Sequence, residues 1–341
     1  MLRTDFQGGI PFLDTATHFA FGFGLAGLAQ IDPNVSGDLW TTAAITVGTV
    51  LGSQAPDADT LFRFRGNEWY IRHHRGLSHS IPAWFFWTLL ISLPVWMLFP
   101  GVSLWTLMLW VFVAVVVHVF TDLFNTYGTQ AIRPVSPRWI AWHIIPIFDP
   151  FLFVAHIAAI GLWISGLLKA GIIFPALYVL IALYYLWRPA ARRRVMAALP
   201  RQDGDFRRGD RYTAIPTVRW SVWNVVKRRE DGSYRLGTVK KGRLAWAEHY
   251  ESQTSPEIER SKSHPAVAAF LSYSSHPCPR MEKRGRDTVV SWIDTRYRHR
   301  KRFPLMAVVK YNAAMEPVYG YVGWANGKKL ERKLGKTSLG R

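Results

Sequence analysis

The 341 residues suffice for two domains, and the single cysteine, Cys278, excludes both an intramolecular disulfide framework and a Cys-rich zinc site; it reads as an unreactive thiol. An apolar content of 49% with a formal charge of +19 would fit a soluble nucleic-acid binder, but these averages conceal two unlike halves. Residues 1–187 carry 8 Lys and Arg against 9 Asp and Glu, whereas residues 188–341 carry 34 against 14, so an oily, nearly neutral half precedes a polar, basic one.

Asp5, Asp14 and His18 in and before the first apolar stretch argue against a secretory signal. Apolar stretches follow at 16–30, 39–54, 81–100, 104–120, 151–168 and 172–187. The last four are long enough to cross the roughly 30 Å of bilayer hydrocarbon. The first two are rich in Gly, Ala and Thr, which lets backbones approach closely. They read as central helices with little lipid contact, the alternative being loops or re-entrant segments. Lys and Arg concentrate in alternate connections: Arg63, Arg65, Arg72 and Arg75, then Arg133 and Arg138, then Arg188 and Arg192 to Arg194. This bias puts both termini in the cytoplasm.

Beyond residue 195 the pattern becomes that of strands. Residues 217–226 alternate through Val218, Trp220, Val222 and Val225, and a turn at 229–233 leads into 234–239, which predicts a hairpin. A helix is expected over 256–273, entered after Ser255 and interrupted at His264 and Pro265. Further strands are expected at 288–294, 303–311 and 317–322, with a frayed Lys-rich end from Asn326. The fold class is therefore an α-helical integral membrane bundle of about six helices, over 1–190, followed by a small basic α+β soluble domain, over 195–341.

The ionisable residues of the membrane half fall at one level of this topology. Asp14 and His18 stand at the start of the first helix, Asp57 and Asp59 at the end of the second, His73, His74 and His79 just before the third, and His118 and Asp122 at the end of the fourth. His118 and Asp122, four apart, share a helix face. Taken singly, His18 or His118 could be a hydrogen-bonded structural histidine, and Asp57 and Asp59 could cap a helix or pair with Arg63 and Arg65. Convergence of four segments carries the argument, because ionisable groups at membrane depth are costly and line sites or cavities. Imidazoles and carboxylates without thiolates suit Zn²⁺ or Mn²⁺, with Fe²⁺ also compatible. A catalytic ion keeps one position open for water and lowers the pKa of that water towards about 7. One ion or two, sharing Asp57 or Asp122, would fit. The expected ligands are His18, Asp57, His79, His118 and Asp122, with Asp59 and His74 as supporting or additional groups. Arg75 and Ser78, inside the His-rich loop, could hold an anionic group such as phosphate.

Taken together these residues resemble the YdjM-type family of inner-membrane proteins, described as membrane-bound metal-dependent hydrolases, and within it the YfhP-like members. The matching pieces are Thr17-His18, Pro56-Asp57-Ala58-Asp59, His74-Arg75-Gly76-Leu77-Ser78-His79-Ser80, His118 to Asp122 with Asn125 to Gly128, and Ile147 to Pro150, over roughly 14–190. The resemblance implies a helical bundle and a metal-dependent hydrolase, and suggests distant kinship with bacterial zinc phospholipases C and helical zinc nucleases. A phosphoester, on a lipid or small molecule, is the expected substrate. YfhP-like members have also been labelled regulators, so the alternative is a membrane tether whose basic domain binds a partner or DNA. A coupled transporter would instead need its ionisable groups near the midplane. The basic domain shows neither helix-turn-helix nor zinc-finger spacing, so anionic lipid headgroups are its expected partner and nucleic acid is not.

Overall fold

The computed structural model describes residues 9–298 and 302–325 and positions 330, 332 and 334; Asp5 and most of the stretch from Asn326 lie outside the described residues. Two compact units emerge, one of Met1–Asp59 with Arg75–Arg193, the other of Thr60–His74 with Arg194–Arg341.

The first unit is helical: α1 (Gly9–Leu28), a short α2 (Pro33–Ser36), α3 (Leu39–Gln54), α5 (Ile81–Leu98), α6 (Leu104–Phe124), α7 (Pro150–Ile164) and most of α8 (Ala170–Gln202), while α4 (Asn67–His73) belongs to the second unit. Local chemistry starts several of these helices. Asp38 accepts from the amides of Trp40 and Thr41 at the head of α3, and Ser103 from Thr106 at the head of α6. Hydroxyls inside the apolar helices bond back onto the preceding turn, as Thr49 does to the Ile45 carbonyl at 2.9 Å and Thr88 to that of Trp84 at 2.7 Å. Such bonds satisfy polar atoms that lipid cannot.

Among the described residues, three helices, α5, α6 and α8, are long and apolar enough to cross a membrane, and α7 is a shorter apolar helix. Their outward faces are apolar. On α5, Phe85, Leu89, Leu93 and Met97 form an exposed stripe at a spacing of four, and on α8 Ile172, Val179, Leu183 and Leu186 are likewise exposed. Contiguous apolar surface of this kind is unfavourable in water and is the expected lipid face of a membrane protein.

The two Gly-rich helices pack at the centre: α3 against α1, α5 and α6, and α1 also against α6 and α7. Close approach explains their composition. A Cβ on Gly22 would lie 2.7 Å from Ser53 Oγ and 2.8 Å from the Val50 Cα, and one on Gly52 would lie 3.0 Å from the Val111 carbonyl. Phe19 and Phe23 of α1 and Val47 and Leu51 of α3 nevertheless remain exposed, so these helices keep a strip of outer surface.

The second unit holds two four-stranded antiparallel meanders. The first comprises β1 (Arg211–Pro216), β2 (Val222–Arg228), β3 (Tyr234–Lys240) and β4 (Arg243–Tyr250); the second comprises β5 (Pro277–Arg284), β6 (Asp287–Asp294), β7 (Leu305–Tyr311) and β8 (Pro317–Trp324). Between them the chain forms α9 (Pro256–Ser261) and α10 (Pro265–Tyr273), broken where His264 caps α10 ahead of Pro265. Val226, Tyr234 and Leu236 of the first sheet share one core with Cys278, Val289 and Val308 of the second. The helix α4, from the Arg-rich connection after α3, packs on α10 and β8 and buries Tyr70 and Ile71.

The expected hairpin is β2–β3, and the three later strands are β6, β7 and β8. Missing from the sequence reading are β1, β4 and β5. Each is an edge strand of its sheet. Edge strands carry the charge and proline that a central strand rejects, here Arg243 and Glu248 in β4 and Pro277 and Pro279 in β5, so their apolar signal is weak.

Buried charge also organises this unit. Lys227 is fully buried and donates to Asp203 Oδ2 at 2.6 Å, with Asp210 Oδ2 at 2.8 Å. Asp203 further accepts from Tyr212 and Trp246, and these bonds outweigh its burial, bringing its carboxyl down to about 2. Burial alone would raise the Asp294 carboxyl, but the Arg296 guanidinium at 2.7 Å and the Ser274 hydroxyl hold it below the usual range.

Candidate metal centre

Four side chains from three places in the chain converge inside the first unit. Asp57 lies in the 3₁₀ segment that follows α3, His79 in a single 3₁₀ turn before α5, and His118 and Asp122 in the last two turns of α6. His79, His118 and Asp122 are essentially inaccessible, and Asp57 is half-buried. His79 Nε2 stands 3.5 Å from Asp57 Oδ1 and 3.3 Å from Asp122 Oδ2; His118 Nε2 stands 3.7 Å and 3.4 Å from the same two oxygens. All four atoms lie within 4.8 Å of one another.

These spacings fit a bound cation. A tetrahedral ion held by N and O donors at about 2.0–2.2 Å separates its ligands by about 3.3–3.6 Å. Asp57 Oδ1, His118 Nε2 and Asp122 Oδ2 are buried and have no hydrogen-bond partner among the described residues. Polar atoms left so inside a protein cost free energy unless something binds them, and here they face one another.

The opposite edge of each imidazole is held. The Ser53 carbonyl, which can only accept, lies 2.7 Å from His118 Nδ1, so Nδ1 carries a proton and Nε2 is the ring nitrogen left for a metal. Ser78 Oγ donates to Asp59 and lies 2.9 Å from His79 Nδ1, whose proton it accepts. Asp59 also accepts from the Arg75 amide at 2.7 Å. Asp59 and Ser78 are thereby a relay behind His79, which fixes ligand orientation and raises ligand basicity. Asn125 donates to Asp122 Oδ1 at 3.1 Å, while its own carbonyl oxygen accepts from the amides of Tyr127 and Gly128, so the turn after α6 is built around Asp122.

The remaining expected residues fall nearby or elsewhere. His18 stacks on His118 with ring centroids 3.8 Å apart, and its Nε2 lies 3.6 Å from Asp122 Oδ1. Arg75 is buried, with Nη2 2.7 Å from Asp14 Oδ2, Nη1 3.1 Å from Asp122 Oδ1 and its guanidinium 5.0 Å from the Tyr127 ring centre. His74 belongs to the second unit, where its ring stacks on Tyr70 at 4.5 Å. Two residues outside the expected ligand set belong to the cluster, Asp14, which the sequence places at the same level, and Asn125. The spacing of four between Asp14 and His18 repeats that of His118 and Asp122 and is the signal that could have found the first. Asp149, in the matching Ile147 to Pro150 piece, caps α7 and accepts from the Tyr184 hydroxyl.

Apolar spanning helices around a buried His and Asp cluster define a helical membrane protein with groups that could bind a metal ion. The profile of the YdjM inner membrane protein family matches residues 13–195, more than half of the chain, and the chain belongs to that family. Residues 256–334 match the YfhP C-terminal alpha/beta plait domain. The chain is 37% identical over 336 residues to the uncharacterized protein YfhP of Bacillus subtilis (strain 168), covering 96% of this chain and 100% of that protein. No solved structure matches it.

Proposed function

We propose that the chain is a metal-dependent hydrolase of the inner membrane, with Asp57, His79, His118 and Asp122 holding one divalent cation and a phosphoester, on a lipid or small molecule, as substrate. The observation that carries this reading is the four His-to-Asp distances of 3.3 to 3.7 Å among buried atoms, with both imidazoles and Asp122 already hydrogen-bonded on their far edges. Two imidazoles and two carboxylates suit Zn²⁺ first and Mn²⁺ second. When bound, such an ion polarises a phosphoryl oxygen and acidifies a water molecule.

The chain's own groups have separate tasks. Asp59 and Ser78 keep the His79 proton on Nδ1, and the Ser53 carbonyl keeps that of His118 on Nδ1, so both rings present a lone pair. Arg75 holds Asp14 and Asp122 in place and lends fixed positive charge beside them. In this reading α1, α3, α5, α6, α7 and α8 make a six-helix, multi-pass domain with both termini in the cytoplasm, and the centre sits at the inner-leaflet boundary, where an amphiphile can enter sideways. Lys and Arg of residues 188–341 would engage anionic headgroups, each contributing about 1 kcal/mol near the surface.

Elemental analysis of the purified full-length protein tests the centre. Stoichiometric divalent metal is expected, and its loss in His118→Ala; full retention in that variant overturns the assignment. Turnover in a phosphoester screen that chelator abolishes is expected of the hydrolase, and inactivity on every phosphoester with metal bound overturns that chemistry.

A further inference from the structure

Beside the four ligands lies a second group that shares one of them. Asp14, His18 and Asp122 each offer a ligand atom, all within 4.8 Å of one another. His18 Nε2 is 3.7 Å from Asp14 Oδ1 and 3.6 Å from Asp122 Oδ1. Asp122 therefore turns Oδ2 to His79 and His118 and Oδ1 to His18.

Three observations point to a cation here as well. His18 is 2% exposed, yet neither ring nitrogen has a hydrogen-bond partner among the described residues, which is costly for a buried imidazole. Arg75 leaves this unsatisfied: its guanidinium engages Asp14 Oδ2 and Asp122 Oδ1 and no His18 nitrogen, so Asp14 Oδ1 still faces the ring. A cavity of about 20 Å³, room for one water, is lined by Asp14, His18 and Asp122 together with Thr17 and Asn125. Three protein ligands beside space for water is the pattern of an open, reactive metal position.

We infer that Asp14, His18 and Asp122 form a second divalent-cation site, and that Asp122 bridges it to the first to make a two-metal centre. The inference rests on the first site proposed above and deepens it. Four carboxylates, Asp14, Asp57, Asp59 and Asp122, stand with the single guanidinium of Arg75, and two divalent ions turn the sum of these charges from −3 to +1. That charge suits an anionic phosphoester, and in two-metal sites the ions stand about 3.5–4 Å apart, close enough to hold attacking and leaving oxygens of one phosphoryl group.

The test uses the full chain in detergent or nanodiscs, loaded with Zn²⁺ or Mn²⁺ and freed of excess ion. Two equivalents per chain are expected, falling to one in Asp14→Asn and in His18→Gln, with melting temperature and elution volume checked for each. A measurement on the unaltered protein removes any dependence on how the variants fold. With two equivalents of Mn²⁺ its electron paramagnetic resonance spectrum should show spin-coupled ions. One equivalent in the unaltered protein, unchanged by Asp14→Asn, or isolated Mn²⁺ signals alone, overturns the second site while leaving the first. Failure of the unaltered protein to hold any metal overturns both.

Discussion

The carbonyl oxygen of Ser53 lies 2.7 Å from Nδ1 of His118, so a main-chain atom at the end of α3 sets the tautomer of a candidate ligand on α6. No side-chain change at Ser53 removes that acceptor; only a shift of α3 does. Gly22 of α1 faces Ser53 and Val50 and lets α3 approach. Gly22→Val should therefore lower stability by about 1–3 kcal/mol, the usual cost of overpacking, and weaken metal binding with it. Ser53→Ala should leave metal content unchanged. Thermal melts and elemental analysis of the two variants check this, and equal metal content in both would break the proposed coupling.

The relay behind His79 makes a different forecast. Removing an outer partner of a metal-bound histidine typically costs about 10–100-fold in metal affinity. Ser78→Ala and Asp59→Asn should each weaken binding by that order in a chelator-competition titration. Their effects should not add, because both act through one Nδ1 proton. Additive losses would show that Asp59 acts independently of Ser78.

In the second unit, Lys227 bridges Asp203 and Asp210 without access to solvent. Lys227→Ala leaves two carboxylates there without their cation and should cost about 3–5 kcal/mol. Replacing the ring of charges together, as in Lys227→Met with Asp203→Asn and Asp210→Asn, should recover part of that loss. Chemical denaturation followed by Trp fluorescence would measure both.

Asp294 supplies a pH dependence whose sign follows from its lowered carboxyl. The unfolded chain binds the proton more readily than the folded one, so the stabilisation is complete above the unfolded value of about 3.9 and is lost as pH falls through the lower folded value. Asp294→Asn should be less stable than the unaltered protein at neutral pH, and the gap in melting temperature should narrow on acidification below about pH 4. A gap independent of pH would assign the effect to packing rather than to the ion pair with Arg296.

Much of this was legible along the chain. The change of charge after Trp187, the apolar stretches and the level shared by His18, Asp57, His79, His118 and Asp122 follow from composition and helical period. Other features left little trace. The strands β1, β4 and β5 are edges, where exposure removes the need for apolar residues. Residues 60–74 read as a connection between membrane helices, yet α4 packs on α10 and β8, which begin 198 and 250 residues further on. Asp14 carried a spacing signal but no distinguishing composition.

The sequence by itself determined which stretches are apolar and which ionisable groups cluster at their ends, because hydrophobic period and charge are local properties read a few residues at a time. Only the tertiary structure decided that Asp122 presents one oxygen to His79 and His118 and the other to His18, and that Asp59 accepts from Ser78 beside His79 Nδ1. Ligation depends on separations of a few ångströms between atoms up to about a hundred residues apart, and those are set by how helices pack.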